Sequence, residues 1–169
     1  MAANAIEQEI RDTYRRYVEA RERIDAGELA WSALDEFFTD DAVFCDPAWG
    51  RVEGVDAIRE FLAQSMAGLE DWSFPEQWTV VEGHRLVTQF TQHMGTNEDG
   101  SPIECPGISI LYYAGGGKFC YELDVMNMGQ INQALRDMGW RPSADFNFPP
   151  RHPDYDTSLP EKYRHLAAS

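Results

Sequence analysis

The 169 residues include 14 Lys and Arg against 29 Asp and Glu, so the chain carries a formal charge of −15, and 43% of its residues are hydrophobic. This length and composition predict one globular domain, and the acidity argues against a basic surface for nucleic acid or anionic membranes. No apolar run reaches the ~18 residues of a membrane span and the first residues do not resemble a signal peptide, so we expect a cytoplasmic protein without nucleic-acid or membrane partners.

The three cysteines, Cys45, Cys105 and Cys120, are odd in number and have no CxxC spacing. This pattern predicts reduced thiols and argues against a structural zinc site. No phosphate-binding loop and no nucleophile motif is found in the chain. We therefore expect neither a metal nor a cofactor.

The first third of the chain is mainly helical in pattern. Apolar residues recur at spacings of three and four over residues 3–25, which predicts an amphipathic helix. A shorter helical stretch follows over residues 31–38, and the helical period returns between residues 54 and 68. Between them, Ala42–Cys45 predicts a short strand that runs into the turn residues Asp46-Pro47.

After residue 70 the chain changes to strand-like segments separated by glycine-containing turns. These segments are Ser73–Glu82, Arg85–Thr96, Ile103–Tyr113 and Lys118–Met126. A final short helix is predicted over Met128–Gly139. Helices followed by a run of strands indicate an α+β fold rather than the alternating pattern of a parallel sheet.

The last part of the chain differs in character from the rest. Residues 142–169 are rich in proline and aromatic residues and have little periodicity, whereas a solvated tail is usually polar. We divide the chain into a domain over residues 1–141 and a C-terminal arm over residues 142–169. The arm is expected to pack on the domain or on a neighbouring subunit.

Four motifs in sequence order resemble one superfamily. They are Phe37–Pro47, Gly50–Ile58, the turn Gly83–Val87 and the turn Gly117–Phe119. Together they resemble the NTF2-like superfamily, and within it the SnoaL-like polyketide cyclases, ketosteroid isomerases and limonene-epoxide hydrolases. The resemblance implies a cone in which N-terminal helices pack on a strongly curved, mixed or antiparallel sheet with one deep pocket. It also implies a homodimer or a higher homo-oligomer.

Strand alternation separates an apolar from an acidic face over Lys118–Met126. Phe119, Tyr121, Leu123 and Val125 share one face, and Cys120, Glu122 and Asp124 share the other. The resemblance implies that the apolar face meets a subunit and that the carboxyl groups face the pocket. Asp124 matches the acid/base Asp of the cyclases and the epoxide hydrolases, and Glu122 matches a second pocket position where those families have His or Trp. The alternative is a solvated acidic strand face.

The strand Arg85–Thr96 has Gln89, Thr91 and His93 on one face, which is expected to line the pocket, with Gln89 and Thr91 as candidate substrate-binding residues. Where the epoxide hydrolases carry Arg and Asp, this chain has Thr91 and His93, which disfavours epoxide hydrolysis. His93 is predicted to pair with Asp124 across the sheet, because a carboxylate orients an imidazole and raises its basicity. The alternative is an ordinary surface or core histidine.

Asp46 matches the general-base Asp of the ketosteroid isomerases, and Tyr17, with Tyr14 one turn earlier, lies near their oxyanion-hole Tyr. The resemblance thus makes Asp46 and Tyr17 candidate catalytic residues and Tyr14 a candidate substrate-binding residue. Their second oxyanion donor falls at Pro106, which has neither a side-chain proton nor an N–H, so steroid isomerisation is disfavoured. The alternative for Asp46 is a plain turn residue, and for the two tyrosines a place in the core. The sequence alone does not decide between the functional and the structural interpretation of Asp46, Tyr14 and Tyr17.

Aromatic residues suit a pocket for a flat apolar ligand. Trp49 is expected at the pocket mouth, with Trp78 and Phe90 as further wall candidates. We thus predict a cofactor-independent acid/base enzyme, of cyclase, isomerase, dehydratase or C–C lyase type, for an aromatic or polycyclic small molecule with a carbonyl or phenol group. The alternative is a non-catalytic small-molecule-binding or assembly module of the same fold.

Overall fold

A computed structural model describes residues 2–168 of the chain. The helices are α1 (Ala2–Asp25), α2 (Val55–Met66) and α3 (Met128–Asp137), with 3₁₀ helices at Trp31–Phe37 and Glu161–Ala168. The strands are β1 (Phe38–Asp46), β2 (Gly50–Glu53), β3 (Glu76–Glu82), β4 (Arg85–Thr96), β5 (Pro102–Gly115) and β6 (Lys118–Met126). The predicted bounds of β4 and β6 agree with the structure. The sequence analysis missed β2, because four residues are too few for an alternation pattern.

The six strands form one sheet in the order β2-β1-β6-β5-β4-β3. Only the pair β1–β6 is parallel, and the remaining pairs are antiparallel. This mixed sheet, with α1 and α2 packed on one of its faces, confirms the predicted α+β fold. The central position of β6 places the backbone of its acidic residues between two hydrogen-bonded neighbours.

The largest core cluster joins α1, the first 3₁₀ helix and α2 to one face of the sheet, which we call the inner face. The apolar stripe of α1 contributes Ile10, Tyr14 and Tyr17, and the sheet contributes residues such as Leu86 and Leu111. Burial of this stripe explains why the period of three and four residues predicted α1 correctly. The opposite face of the sheet is called the outer face.

On β4, the predicted pocket-facing set lies on the outer face. Even-numbered positions from Leu86 to Met94 are buried, whereas Gln89, Thr91 and His93 are only half-buried. The three residues do share a face, as predicted, but the prediction that this face lines the pocket is wrong. The larger apolar residues of β4 occupy the even positions, so the hydrophobic effect turns those positions inward.

A β-bulge at Cys120 interrupts the alternation of β6. The pairing with β5 steps from Tyr112↔Tyr121 to Tyr113↔Phe119, which leaves one extra residue on β6. Phe119 therefore packs in the inner core, and Cys120 packs with Tyr121 on the outer face. The predicted faces of Phe119 and Cys120 are wrong for this reason, while residues beyond the bulge keep the predicted alternation.

The C-terminal arm follows α3 and first crosses the end of α2. The Asn147 Nδ2 donates a hydrogen bond to the Gln64 carbonyl at 3.2 Å. Gly68 adopts φ +78° beside the arm, and a Cβ there would lie 2.9 Å from the Phe146 Cα. The absence of a side chain at Gly68 thus allows the arm to approach α2 closely.

The second half of the arm runs along β2 and then onto the outer face. The Arg51 amide donates to the Asp154 carbonyl at 2.7 Å, and the Arg51 Nη1 donates to the Ser158 carbonyl at 2.8 Å. The 3₁₀ helix that ends the described chain buries Tyr163 and Leu166 against residues of β1 and β6. Its Tyr163 hydroxyl donates to the Asp41 carboxylate at 2.6 Å. The arm therefore packs on its own chain.

No helix among residues 2–168 is long and apolar enough to cross a membrane. Cys45, Cys105 and Cys120 are all buried and form no disulfide. Burial raises the pKa of the Cys120 thiol to about 12, so this thiol is protonated and unreactive at neutral pH.

Candidate functional site

A cavity of about 360 Å³ lies between the inner face of the sheet, the helices and the arm. Its wall is mainly apolar and rich in aromatic residues, with rings from Trp31, Phe44, Trp49, Phe61, Trp72, Phe74, Phe90, Trp140, Phe146 and Phe148. Its polar side chains are few and include Arg21, Asp46, Gln92, Ser109, Glu122 and Asp124. A wall of this composition suits a flat, largely apolar molecule with a small number of polar groups.

The carboxyl groups of Glu122 and Asp124 both face the cavity. They are two residues apart on β6 and therefore point to the same face. Burial raises the pKa of Glu122 well above its usual range, and the charge of Asp124 raises it further. Glu122 is only 3% exposed, and this burial favours its protonated form. The pair thus provides one protonated and one titratable carboxyl group.

Asp124 is the titratable member of this pair. Burial raises its pKa to about 7, and the nearby charge of Asp46 acts in the same direction. The Ser109 hydroxyl donates a hydrogen bond to the Asp124 carboxylate, which lowers the pKa, as does the charge of Arg21. Ser109 and Asp124 are cross-strand partners of β5 and β6, so the sheet register itself sets this contact.

Tyr17 contacts the site through Glu122. Its hydroxyl donates a long hydrogen bond of 3.4 Å to the Glu122 Oε2, and its ring packs edge-on against Phe37 at 5.3 Å. Complete burial raises the pKa of Tyr17, so the hydroxyl remains a donor. Tyr14 stacks on Tyr17 at 5.7 Å and lies in the core away from the cavity wall, so its predicted contact with substrate is wrong.

Asp46 ends β1 and lines the cavity. Its Oδ1 accepts hydrogen bonds from the Ala48 and Trp49 amides at 2.7 and 2.8 Å, which makes it the turn residue of the alternative interpretation. Burial nevertheless raises its pKa, and its charge reaches Asp124. Trp49 follows on the cavity wall, with its ring 5.9 Å from that of Phe61. Asp46 therefore combines a structural role with an electrostatic one.

Two of the predicted site residues lie elsewhere on the molecule. The His93 Nδ1 is 3.6 Å from the Glu104 carboxylate, its cross-strand neighbour, so the predicted pairing of His93 with Asp124 is wrong. Trp78 is 48% exposed and pairs with Gln89 on the outer face, so it does not line the cavity. Both errors follow from the face assignment described for β4.

Phe90 is on the cavity wall as expected, and its position depends on a glycine. Its ring lies over Gly107, the cross-strand partner on β5, where any Cβ would collide with the ring. The absence of a side chain at Gly107 thus leaves space for the Phe90 ring at this level of the wall.

Arg21 is a wall residue that the sequence analysis missed. It lies one turn after Tyr17 on α1, donates a hydrogen bond to the Phe74 carbonyl and places its guanidinium 5.7 Å from the Phe74 ring. Among the described residues, it is the only cationic side chain on this cavity wall. Its charge lowers the pKa of both Glu122 and Asp124. The sequence feature that could have identified Arg21 is its position as a charged residue within the apolar stripe of α1.

The family model of the SnoaL-like domain matches residues 14–121, which is more than half of the chain. The chain belongs to the SnoaL-like family. The predicted membership of the NTF2-like superfamily is thereby confirmed, and the solved structures below agree with it. No curated protein matches this SnoaL-like chain.

Several solved structures share the fold. A protein from Jannaschia sp. CCS1 described as a SnoaL-like polyketide cyclase has a TM-score of 0.62 at 17% identity, covering 77% of this chain and 93% of its own. A protein from Xanthomonas campestris described as a polyketide cyclase has a TM-score of 0.55 at 21% identity, covering 76% and 98%. TerC, co-crystallised with polyporic acid, has a TM-score of 0.55 at 18% identity, also covering 76% and 98%. At these identities the similarity establishes the fold alone.

Proposed function

We propose that this SnoaL-like protein is a cofactor-independent acid/base enzyme for an aromatic or polycyclic small molecule that carries a carbonyl or phenol group. The observation that carries this proposal is the pair Glu122 and Asp124, two neighbouring carboxyl groups on the wall of an aromatic-rich cavity. Cyclisation, isomerisation, dehydration and C–C cleavage of such molecules all begin with the movement of one proton. The chain's own side chains can supply that step.

Asp124 has the role of general base. With a pKa of about 7 it is partly ionised at neutral pH and is a stronger base than an exposed aspartate. It takes a proton from the carbon next to the carbonyl, or from the phenol oxygen, and returns it at a later position. The hydrogen bond from Ser109 holds the carboxylate in one orientation while it does so.

Glu122 has the role of general acid and hydrogen-bond donor. Because it is protonated, it can donate to the substrate oxygen on which negative charge develops. Tyr17 is a positioning residue that orients Glu122 through the 3.4 Å contact. Asp46 keeps the pKa of Asp124 high through its charge. His93 has no part in this mechanism, since it lies on the outer face.

The cavity wall supports an aromatic substrate. Rings of Trp31, Trp49 and Phe90 offer flat surfaces for stacking, and the volume of about 360 Å³ is in the range of small-molecule sites. TerC, which has the same fold, was crystallised with polyporic acid. This similarity supports the choice of aromatic test compounds.

The test is proton exchange, which does not require the natural substrate. We expect the protein to accelerate deuterium exchange at the α-carbon of 1-tetralone in D₂O, followed by ¹H NMR. Activity should rise as the pH passes about 7, when Asp124 ionises. Asp124→Asn should lower the exchange rate by about 100-fold or more, since it removes the base. His93→Gln, on the outer face, is the control and should leave the rate unchanged.

One result would contradict an enzymatic role, and another would contradict the role of Asp124. If the wild-type protein binds 1-tetralone but exchange is no faster than in buffer, the protein is a binding module, the alternative function. If exchange is accelerated equally by wild type and Asp124→Asn, the base is another group and the assignment of Asp124 is wrong.

A further inference from the structure

Gln92 is a buried amide on the cavity wall that the proposed reaction does not use. It is 4% exposed, and its Oε1 has no hydrogen-bond partner among residues 2–168. A buried polar atom without a partner is costly, and most such atoms in proteins are paired. Because Gln92 lines the cavity, a ligand bound there is an available source of the donor that its amide lacks.

Gln92 lies far from the carboxyl pair along the sheet. Asp124 is level with Ser109 and Thr88, because these residues are successive cross-strand partners. Gln92 is four residues beyond Thr88 on β4, a distance of about 13 Å along the strands. A molecule that contacts both ends must be elongated, longer than a single ring.

The wall between the two polar ends is apolar. The intermediate level carries Phe90 and Gly107, whose missing side chain leaves space over the sheet. Beyond it, the cluster that contains Cys105, the cross-strand partner of Gln92, also contains Met94 and Ile131. The amide thus lies in largely apolar surroundings, a position where one hydrogen bond discriminates strongly between ligands.

We propose that Gln92 is a specificity-determining residue whose Oε1 accepts a hydrogen bond from a hydroxyl or N–H group at the far end of an elongated aromatic ligand. The other end of that ligand, with its carbonyl or phenol oxygen, lies at Glu122 and Asp124. This inference rests on the proposed function, which it deepens by naming the substrate class. Ligands with a hydrogen-bond donor at the far end are preferred over those without one.

Calorimetric binding of three matched ketones tests this preference. The probes are 4-acetylbiphenyl, its 4′-hydroxy derivative and its 4′-methoxy derivative, which differ in the donor at the far end. We expect the wild type to bind the hydroxy compound about tenfold more tightly than the other two. Gln92→Met should abolish this preference. Gln89→Met, the same change on the outer face of the same strand, should retain it.

The stability of the empty protein is a second, ligand-independent test. Methionine fills a similar volume without an unpaired acceptor, so Gln92→Met should have a denaturation midpoint equal to or above that of the wild type. A clearly lower midpoint would show that Gln92 supports the fold, and would overturn the proposal. So would equal wild-type affinity for all three ketones, no binding of any of them, or a preference that survives in Gln92→Met.

The failure of this inference and that of the proposed function can be told apart. Asp124→Asn should lose proton exchange but keep the preference for the hydroxy compound, because Gln92 is intact. If the preference is present while the wild type catalyses no proton exchange, the protein is a binding module and Gln92 determines its ligand specificity. If exchange occurs without the preference, the enzyme assignment stands and the role of Gln92 is wrong.

Discussion

Asp124 lies among groups with opposing effects on its charge. Burial and Asp46 raise its pKa, whereas Ser109 and Arg21 lower it, and the result of about 7 leaves the residue poised near neutrality. Its neighbour Glu122 lacks an equally strong stabilising contact, since the Tyr17 contact is long at 3.4 Å. Small differences in local contacts thus divide two carboxyl groups into an acid and a base.

The raised pKa of Asp124 has a consequence for stability. The folded protein holds this proton up to about pH 7, whereas the unfolded chain releases it near the ordinary value of 3.8. The stabilising contribution is therefore complete below the unfolded pKa and is lost as the pH rises through about 7. We expect Asp124→Asn to raise the free energy of unfolding by roughly 4 kcal/mol at pH 8, and to change it little at pH 4.

Urea denaturation at the two pH values measures this difference. Asp99→Asn is the control, because Ser101 holds the pKa of Asp99 below its usual range and the loop is exposed. That variant should not be stabilised at either pH. Equal effects of Asp124→Asn at pH 4 and pH 8 would contradict the raised pKa.

Gly107 provides a second prediction at the residue scale. Because the Phe90 ring occupies the space of a Cβ at this position, Gly107→Ala should displace the ring into the cavity. We expect binding of 4-acetylbiphenyl to weaken by about tenfold or more, with a loss of stability of about 1–3 kcal/mol. Gly107→Ala combined with Phe90→Leu should restore part of the affinity, and a lack of any effect in Gly107→Ala would contradict this contact.

At the scale of elements, the arm is the feature that completes the cavity. Trp140, Phe146 and Phe148 form one side of the wall, and the arm is attached beyond them through Arg51 and Asp154. The segment is therefore held at both ends, near Gly68 and beside β2, while its aromatic middle faces the site. The arm thus contributes part of the apolar wall of the cavity that Asp124 and Glu122 also line.

Gly68→Ala tests the attachment of the arm. Gly27 and Gly68 have nearly the same φ, +75° and +78°, but only at Gly68 would a Cβ lie within 4 Å of atoms of the arm. Gly27→Ala therefore measures backbone strain alone, and Gly68→Ala measures strain plus the displaced arm. We expect faster hydrogen–deuterium exchange over residues 142–150 in Gly68→Ala and wild-type exchange there in Gly27→Ala. Identical exchange in both variants would show that the contact is unimportant.

At the scale of the whole molecule, the outer face is divided in two. The terminal 3₁₀ helix covers the part of β1 and β6 around Cys120 and Tyr121. The remaining part has large exposed apolar residues, namely Trp78 at 48%, Val80 at 53% and Val125 at 49%. The homodimer or higher oligomer implied by the family resemblance stays a prediction, and this uncovered part is where we expect the second copy to bind.

Sedimentation of the wild type and of Trp78→Glu tests this prediction. We expect a homodimer or larger assembly for the wild type and a monomer for the variant, because a charge in an apolar contact is costly. Tyr155→Glu changes an arm residue that is 67% exposed and should leave the assembly intact. A monomeric wild type, or an assembly unchanged by Trp78→Glu, would contradict the outer-face contact.

The sequence predicted the elements of the domain well but some of their faces poorly. Periodicity located α1, β4 and β6, and alternation correctly placed Glu122 beside Asp124, because both patterns depend on residues close together in the chain. The placement of His93 failed, since alternation says which residues share a face but not which face is inside. The predicted faces of Phe119 and Cys120 were wrong for a related reason, because the bulge at Cys120 arises only when β5 and β6 pair.

By itself, the sequence determined the α+β fold, the family and the acidic pair on β6, since these follow from local patterns and short motifs. Only the tertiary structure decided that Asp124 contacts Ser109 rather than His93, that Gln92 faces the cavity and that the arm forms part of its wall. These contacts join residues far apart in the chain, and burial then sets their pKa values. The sequence alone could not predict these features, because long-range pairing and the exclusion of water are not encoded in any local pattern.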